Sequence, residues 1–312
     1  MKKLTIAVLS GGKSSERDVS LKGGTQVFEA LDKQRYTVLR YDPRDDLSRL
    51  IADAPRIDAA LIIMHGPYGE DGTIQGLLDL LNIPYQGSGV LGSALAMNKL
   101  SSKLLFEKAG IPIPPYTVVH KSEAVVPADI SAQLGLPLVV KPVAGGSSIG
   151  MSIVQEERFL PDALKHAFEW DQAAIVETFI DGLELTASVI GAQHLTALPI
   201  VEIIPGKGYD FFNYEAKYTP GATQEICPAR IDPVLADKAG QIGINAHRAL
   251  FCRDYSRTDM ILKGRDIYVL ETNTIPGMTP TSLLPLAAQT AGISFSQLLD
   301  RLIELCLNRR LA

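Results

Sequence analysis

Along the first hundred residues, short apolar runs alternate with stretches whose apolar positions recur at helical spacing. LTIAVLS (4–10), YTVLRYD (36–42) and IDAALIIMH (57–65) read as strands, the last as a buried one. Val19–Leu31 and Thr73–Leu81 read as helices, and IPYQGS follows the second. Strands alternating with helices predict a parallel, doubly wound sheet, whose ligands sit at the carboxyl ends of strands. Those ends carry Ser10-Gly11-Gly12 and His65-Gly66.

The pattern then changes. A helix from about Asn98 to Ala109 ends at Gly110, and a connector with Pro112, Pro114 and Pro115 follows. LPLVVKPVAGGSSIGMSIV predicts two strands around a glycine-rich loop, followed by a helix and the strand AAIVETFI. From GLELTASVIG onward, strands are expected at Glu184–Ile190, Leu195–Ile204, Ser256–Leu262 and Ile267–Asn273, with helices at Pro233–Leu250 and Phe295–Asn308. These readings divide the chain into an α/β unit at 1–97 and two α+β units at 98–183 and 184–312. The insert GKGYDFFNYEAKYTPGATQ, about 206–224, is too long for a tight turn and predicts a lid or binding loop.

Composition narrows the function classes. The 312 residues are 46% hydrophobic with a net charge of −5, which gives no basic field for nucleic acid or an anionic membrane. No apolar run is long enough for a membrane span. The start MKKLTIAVLSGGK reads as a first buried strand rather than a signal peptide. Cys227, Cys252 and Cys306 show no pairing or metal spacing, so reduced thiols in a cytoplasmic protein are expected.

The strand YVLETN places Glu271 and Asn273 on one face by its period-two geometry. The strand before it carries Arg257 and Asp259, and KGRD signals a hairpin between them. A three-residue loop, Gly264 to Asp266, sets Asp259 opposite Glu271. A two-residue loop sets them on opposite faces unless a bulge intervenes. Two carboxylates and an amide oxygen on one patch suit Mg²⁺; scattered charge on a solvated hairpin is the bland alternative.

Lys141 ends a strand before Pro142 and AGGSSIG, and a lysine beside glycine-rich backbone suits phosphate oxygens. The order is not that of a P-loop, and a flexible turn is the competing reading. Lys99 is a second phosphate candidate. Glu177 at a strand end suits an adenine amino group and Glu184 suits ribose hydroxyls, though either alone reads more readily as a surface carboxylate. LSGGKSSERDVS lacks GxGxxG, which argues against a dinucleotide cofactor, and leaves Glu16 to meet a substrate ammonium group.

Taken together and in this order, GGKSSERDVSL, HGPYGEDGTIQGLL, KPVAGGSSIGMS, NYEAKYTPGATQ, RTDMIL and ETNTIPGMTPTSLLP resemble the D-alanine–D-alanine ligase family of ATP-grasp enzymes. The motifs span almost the whole chain. The resemblance implies ATP gripped between the central and C-terminal units, a homodimer, and a dipeptide product for peptidoglycan precursors. It implies phosphate contacts from Lys99, Lys141 and Lys217 with Ser148 beside them, and adenosine contacts from Glu177 and Glu184. Asp259, Glu271 and Asn273 would hold two Mg²⁺ or Mn²⁺. Glu16 would grip the first D-alanine near His65, tied to Ser147 and Tyr218, with Tyr218 in the lid. Ser282 and the backbone of Leu283 would hold the second D-alanine's carboxylate. Arg257 and the Gly277 N–H would face the developing oxyanion.

The chain departs from the family's usual pattern at VAGG (143–146), at Thr178, at Asn98 and in TPTSLLP. None of these removes a metal ligand or a phosphate lysine. Tyr218 points to D-alanine rather than D-lactate as second substrate. Three alternatives remain: a nucleotide sensor, a phosphotransferase, and an ATP-grasp ligase with other amino-acid or hydroxy-acid substrates. The presence of Lys217 and all four hairpin side chains argues against the sensor, and SSER, YEAKY and Ser282 bear on the other two.

Overall fold

The computed structural model describes residues 3–146, 148–206 and 223–309. The expected contacts of Ser147, Lys217 and Tyr218, and most of the expected lid, lie outside them.

Strands β1 (Leu4–Leu9), β2 (Tyr36–Tyr41) and β3 (Ala59–Ile62) form the expected parallel sheet, in the order β2-β1-β3. Alternation along β1 sends Ile6 and Val8 to one face and Ala7 and Leu9 to the other, and both faces are buried. Helices α2 (Leu47–Asp53) and α3 (Thr73–Leu80) cover the second face through Leu50, Ile74 and Leu78. The first face is covered by α1 (Arg17–Ala30) through Val27, and also by the C-terminal helix Phe295–Arg309 through Leu298, Leu302 and Ile303. One core therefore joins the two ends of the chain.

Helices α4 (Val90–Met97) and α5 (Lys99–Lys108) lead into an antiparallel four-stranded sheet. It contains β4 (Tyr116–His120), β5 (Leu138–Pro142), β6 (Ser152–Val154) and β7 (Ala173–Thr178), in the order β4-β7-β5-β6, with α6 (Pro127–Leu134) and α7 (Leu160–Ala167) packed on it. The glycine-rich loop joins β5 to β6. Its start is held by Asp171, which accepts the Ala144 N–H at 2.8 Å. Its end lies against Trp170 and Pro142 at Gly150, where φ is +73° and a Cβ would fall 2.7 Å from Trp170.

The remaining strands form one antiparallel sheet with the path β11-β10-β8-β12-β13. They are β8 (Leu183–Gly191), β9 (Thr196–Ala197) paired to β8, β10 (Val201–Pro205), β11 (Thr223–Ile226), β12 (Asp254–Lys263) and β13 (Asp266–Asn273). The single strand expected over Leu195–Ile204 is two pieces, because Pro199 has no N–H for the ladder. Helix α8 (Pro233–Ala249) covers this sheet, and α9 (Leu283–Thr290) leads to α10 (Phe295–Arg309).

The β12–β13 hairpin takes the other branch of the sequence reading. Lys263 pairs with Asp266, so the loop holds only Gly264 and Arg265. Gly264 has φ +63°, as a two-residue turn favours at its first central position. A bulge then intervenes: Met260 pairs with Val269 but Asp259 pairs with Glu271, leaving Leu270 without a partner. That one extra residue returns Asp259 and Glu271 to the same face.

Candidate active site

A cleft of about 1020 Å³, counted to its open mouth, lies between the four-stranded sheet and the C-terminal sheet. One wall carries Lys141, Ser148 and Glu177, and the other Glu184, Asp259 and Glu271. Lys99 joins them from the first position of α5. The Asn98 side chain caps that helix, accepting the Ser101 N–H at 2.8 Å, so the departure at Asn98 leaves the cap intact. The Lys99 N–H donates to the Val143 carbonyl at 2.9 Å and its ammonium donates to the Gly145 carbonyl. Helix start and glycine-rich loop are thus tied together.

Glu177 and Lys141 lie on neighbouring strands of one sheet, Glu177 paired with Val139 and Lys141 two residues further along β5. One carboxylate oxygen of Glu177 meets the Lys141 ammonium. The other lies 2.7 Å from the Lys103 ammonium, an ion pair whose angles fall outside hydrogen-bond geometry. Burial would raise the Glu177 carboxyl, yet Lys141 and Lys103 together hold it below the usual carboxylate range. Both oxygens of the group expected to face adenine are therefore engaged by lysines. Lys103 was not singled out from sequence. The available signal was Lys99, Lys103 and Phe106 recurring on one face of α5, but the apolar environment of that face is set by the sheet beside it.

At the opposite wall, Asp259 is surrounded by donors. Arg257 donates Nε to Oδ1 and Nη2 to Oδ2, each at 2.8 Å. Thr186 donates to Oδ1 at 2.8 Å and Asn273 Nδ2 to Oδ2 at 3.1 Å. The Asn273 amide nitrogen is thereby fixed toward Asp259, which turns its oxygen the other way. Two carboxylates and an amide oxygen fit Mg²⁺ in donor chemistry, but a cation at Asp259 has to replace at least one of these donors. Among the described residues no group of three or more His, Cys, Asp or Glu side chains forms a metal cluster.

A second group gathers where the parallel sheet meets the C-terminal sheet. Glu16 is buried just before α1, and the Cβ positions that Gly66 and Gly146 lack lie 2.8 and 3.9 Å from its Oε2. The His65 loop and the glycine-rich loop therefore both approach this carboxylate. His65 is buried, and burial pushes its imidazole down, opposed by Glu16 and reinforced by Arg257. Glu70, also not singled out from sequence, accepts the Gly66 N–H at 2.7 Å. Burial and then the Glu16 charge push its carboxyl up to about 8. Ser282 precedes α9 and accepts the Thr279 N–H at 3.2 Å, while a Cβ on Gly277 would fall 3.0 Å from its Oγ. Leu283 opens that helix, where first-turn N–H groups have no intrahelical acceptor.

Comparisons with known proteins agree along the whole chain. The family described as D-ala D-ala ligase C-terminus matches residues 105–304, and D-ala D-ala ligase N-terminus matches 42–88. The D-alanine–D-alanine ligase of Syntrophobacter fumaroxidans is 60% identical over 98% of each chain. Among solved structures, the D-alanine–D-alanine ligase from Bacillus anthracis in complex with ATP superposes with a TM-score of 0.87, at 38% identity over 99% of each chain. The VanG D-Ala:D-Ser ligase from Enterococcus faecalis gives 0.83, at 32% identity over 97% of this chain and 99% of that one.

Proposed function

The chain belongs to the D-alanine–D-alanine ligase family, ATP-dependent ligases of the ATP-grasp fold that join two D-alanines, and from that premise we propose how its residues divide the work. One observation carries the assignment: Lys99, Lys141, Glu184, Asp259 and Glu271 line a single cleft between two sheets.

An amine does not displace oxide from a carboxylate at neutral pH, so the first D-alanine must be activated. Its carboxylate attacks the γ-phosphate of ATP in line, giving an acyl phosphate and ADP. Lys99, Lys141 and Lys217, with Ser148, hold the phosphate oxygens, and Glu177 and Glu184 border the nucleoside end. Asp259, Glu271 and Asn273 would hold two Mg²⁺ or Mn²⁺, which supply charge neutralisation at the transferring group. Glu16 holds the ammonium of the first D-alanine beside His65, supported by Ser147 and Tyr218.

The amine of the second D-alanine, having lost its proton, then attacks the activated carbonyl, and phosphate leaves through a tetrahedral intermediate. Arg257 and the Gly277 N–H face its oxyanion, while Ser282 and the Leu283 N–H hold the second carboxylate. Acyl phosphates hydrolyse, which gives the segment around 206–224, with Tyr218, the task of excluding water. The division at 97 and 183, a homodimer and cytoplasmic residence belong to the same proposal and rest on the family. No described helix is long and apolar enough to cross a membrane.

The test is phosphate release with pairs of D- and L-amino acids and hydroxy acids. The expected result is one phosphate per dipeptide with D-alanine in both positions. A higher kcat/KM with D-serine or D-lactate in the second position overturns the substrate assignment.

A further inference from the structure

Lys103 contacts nothing in the open cleft, yet it is the lysine most completely removed from water in the cleft wall. Its side chain is 1% exposed, against 9% for Lys141 and 3% for Glu177. Its ammonium faces the Tyr116 ring at 5.1 Å and Glu177 Oε2 at 2.7 Å. A buried ammonium is expensive, and an apolar side chain on α5 would fill the same space more cheaply. Glu177 does not need a second counter-charge for its own neutrality, since Lys141 already meets its other oxygen. With Lys141 alone the Glu177 pair would be neutral. With Lys103 added, two ammoniums share one carboxylate, and this cluster of three keeps one net positive charge beside the Lys99 charge already in the cleft lining.

We propose that Lys103 is a positioning residue for triphosphate binding. It occupies one oxygen of Glu177, so that Lys141 is steered by that carboxylate without being neutralised by it. The inference rests on the ATP reading of the same cleft. It assigns Lys103 no contact with nucleotide. Its effect reaches the phosphates through Glu177 and Lys141, so it should appear in affinity for ATP and not in affinity for adenosine.

Isothermal titration of the full-length protein with a non-hydrolysable ATP analogue and with adenosine tests this. Lys103→Met and Lys103→Gln should each weaken the analogue by about tenfold while adenosine changes by less than about twofold, the scale of one unit charge acting at a high effective dielectric. Lys103→Gln keeps a polar group beside Glu177, so it decides the matter if the Met variant does not fold. Equal weakening of both ligands, or an unchanged ratio in a folded Met or Gln variant, overturns the proposal. A wild-type protein that binds the analogue no better than adenosine overturns the cleft reading itself.

Discussion

Asp259 lies directly across the β12–β13 ladder from Glu271, and it does so because Leu270 is left out of the pairing between them. With a two-residue hairpin loop and no bulge, every side chain of β13 beyond that point would face the other way. A single irregular residue thus sets both carboxylates on the same wall of the cleft.

Glu271→Gln keeps the shape and the ladder but removes a charge. Turnover should fall on the order of a hundredfold or more, with the melting temperature little changed, as expected when a group acting on transition-state charge is lost. Steady-state rates across a Mg²⁺ titration, with calorimetry as the folding control, check this. Near-normal rates at limiting Mg²⁺ would remove Glu271 from the metal set.

The Arg257–Asp259 pair makes a distinct prediction. A divalent cation without nucleotide must compete with the guanidinium for carboxylate oxygens that already accept from Arg257, Thr186 and Asn273. Arg257→Gln should tighten nucleotide-free Mn²⁺ binding by about tenfold, while turnover drops if Arg257 faces the oxyanion as proposed. Electron paramagnetic resonance of Mn²⁺ reads the first effect. Unchanged Mn²⁺ affinity would mean that the ion does not use Asp259.

Glu70→Gln should fold as well as the wild type at pH 7. Burial already raises this carboxyl to about 8, so the protonated form dominates and an amide oxygen can accept the Gly66 N–H equally well. Glu70→Ala removes that acceptor and should cost about 1–3 kcal/mol. Urea unfolding of both variants at pH 7 gives the comparison, and a Gln variant as unstable as the Ala variant contradicts it.

His247 predicts the acid limb of stability. It is buried against Ser256, whose Oγ lies 2.7 Å from its Nδ1, and burial, aided by Arg248, lowers its pKa from near 6.5 to about 4. The folded protein holds this ring neutral, so below 6.5 the unfolded chain binds more protons. Its contribution is therefore complete above that pH and declines as pH falls toward 4, by roughly 2–3 kcal/mol. Urea midpoints between pH 7 and 4.5 should fall less steeply in a His247→Gln variant. Parallel slopes would exclude His247 as the source.

The sequence by itself determined the periodicities. Continuous apolar runs over 4–9 and 57–65 with helical spacing between them specify the parallel sheet and its two buried faces. It also placed Glu271 and Asn273 on a common face, because a strand's period is a local property of its backbone. Whether Asp259 joined that face was left open at the hairpin, since a bulge depends on how two strands pack against their neighbours. Lys103 reads as one more helical lysine until a sheet is laid over α5 and Glu177 is brought to it from 74 positions along the chain. The completion of the first sheet's core by the C-terminal helix is of the same kind: Leu302 and Val8 carry no mark of each other in sequence. Local geometry follows from neighbours in the chain, but burial, charge balance and bulges are settled only when distant segments exclude the same water.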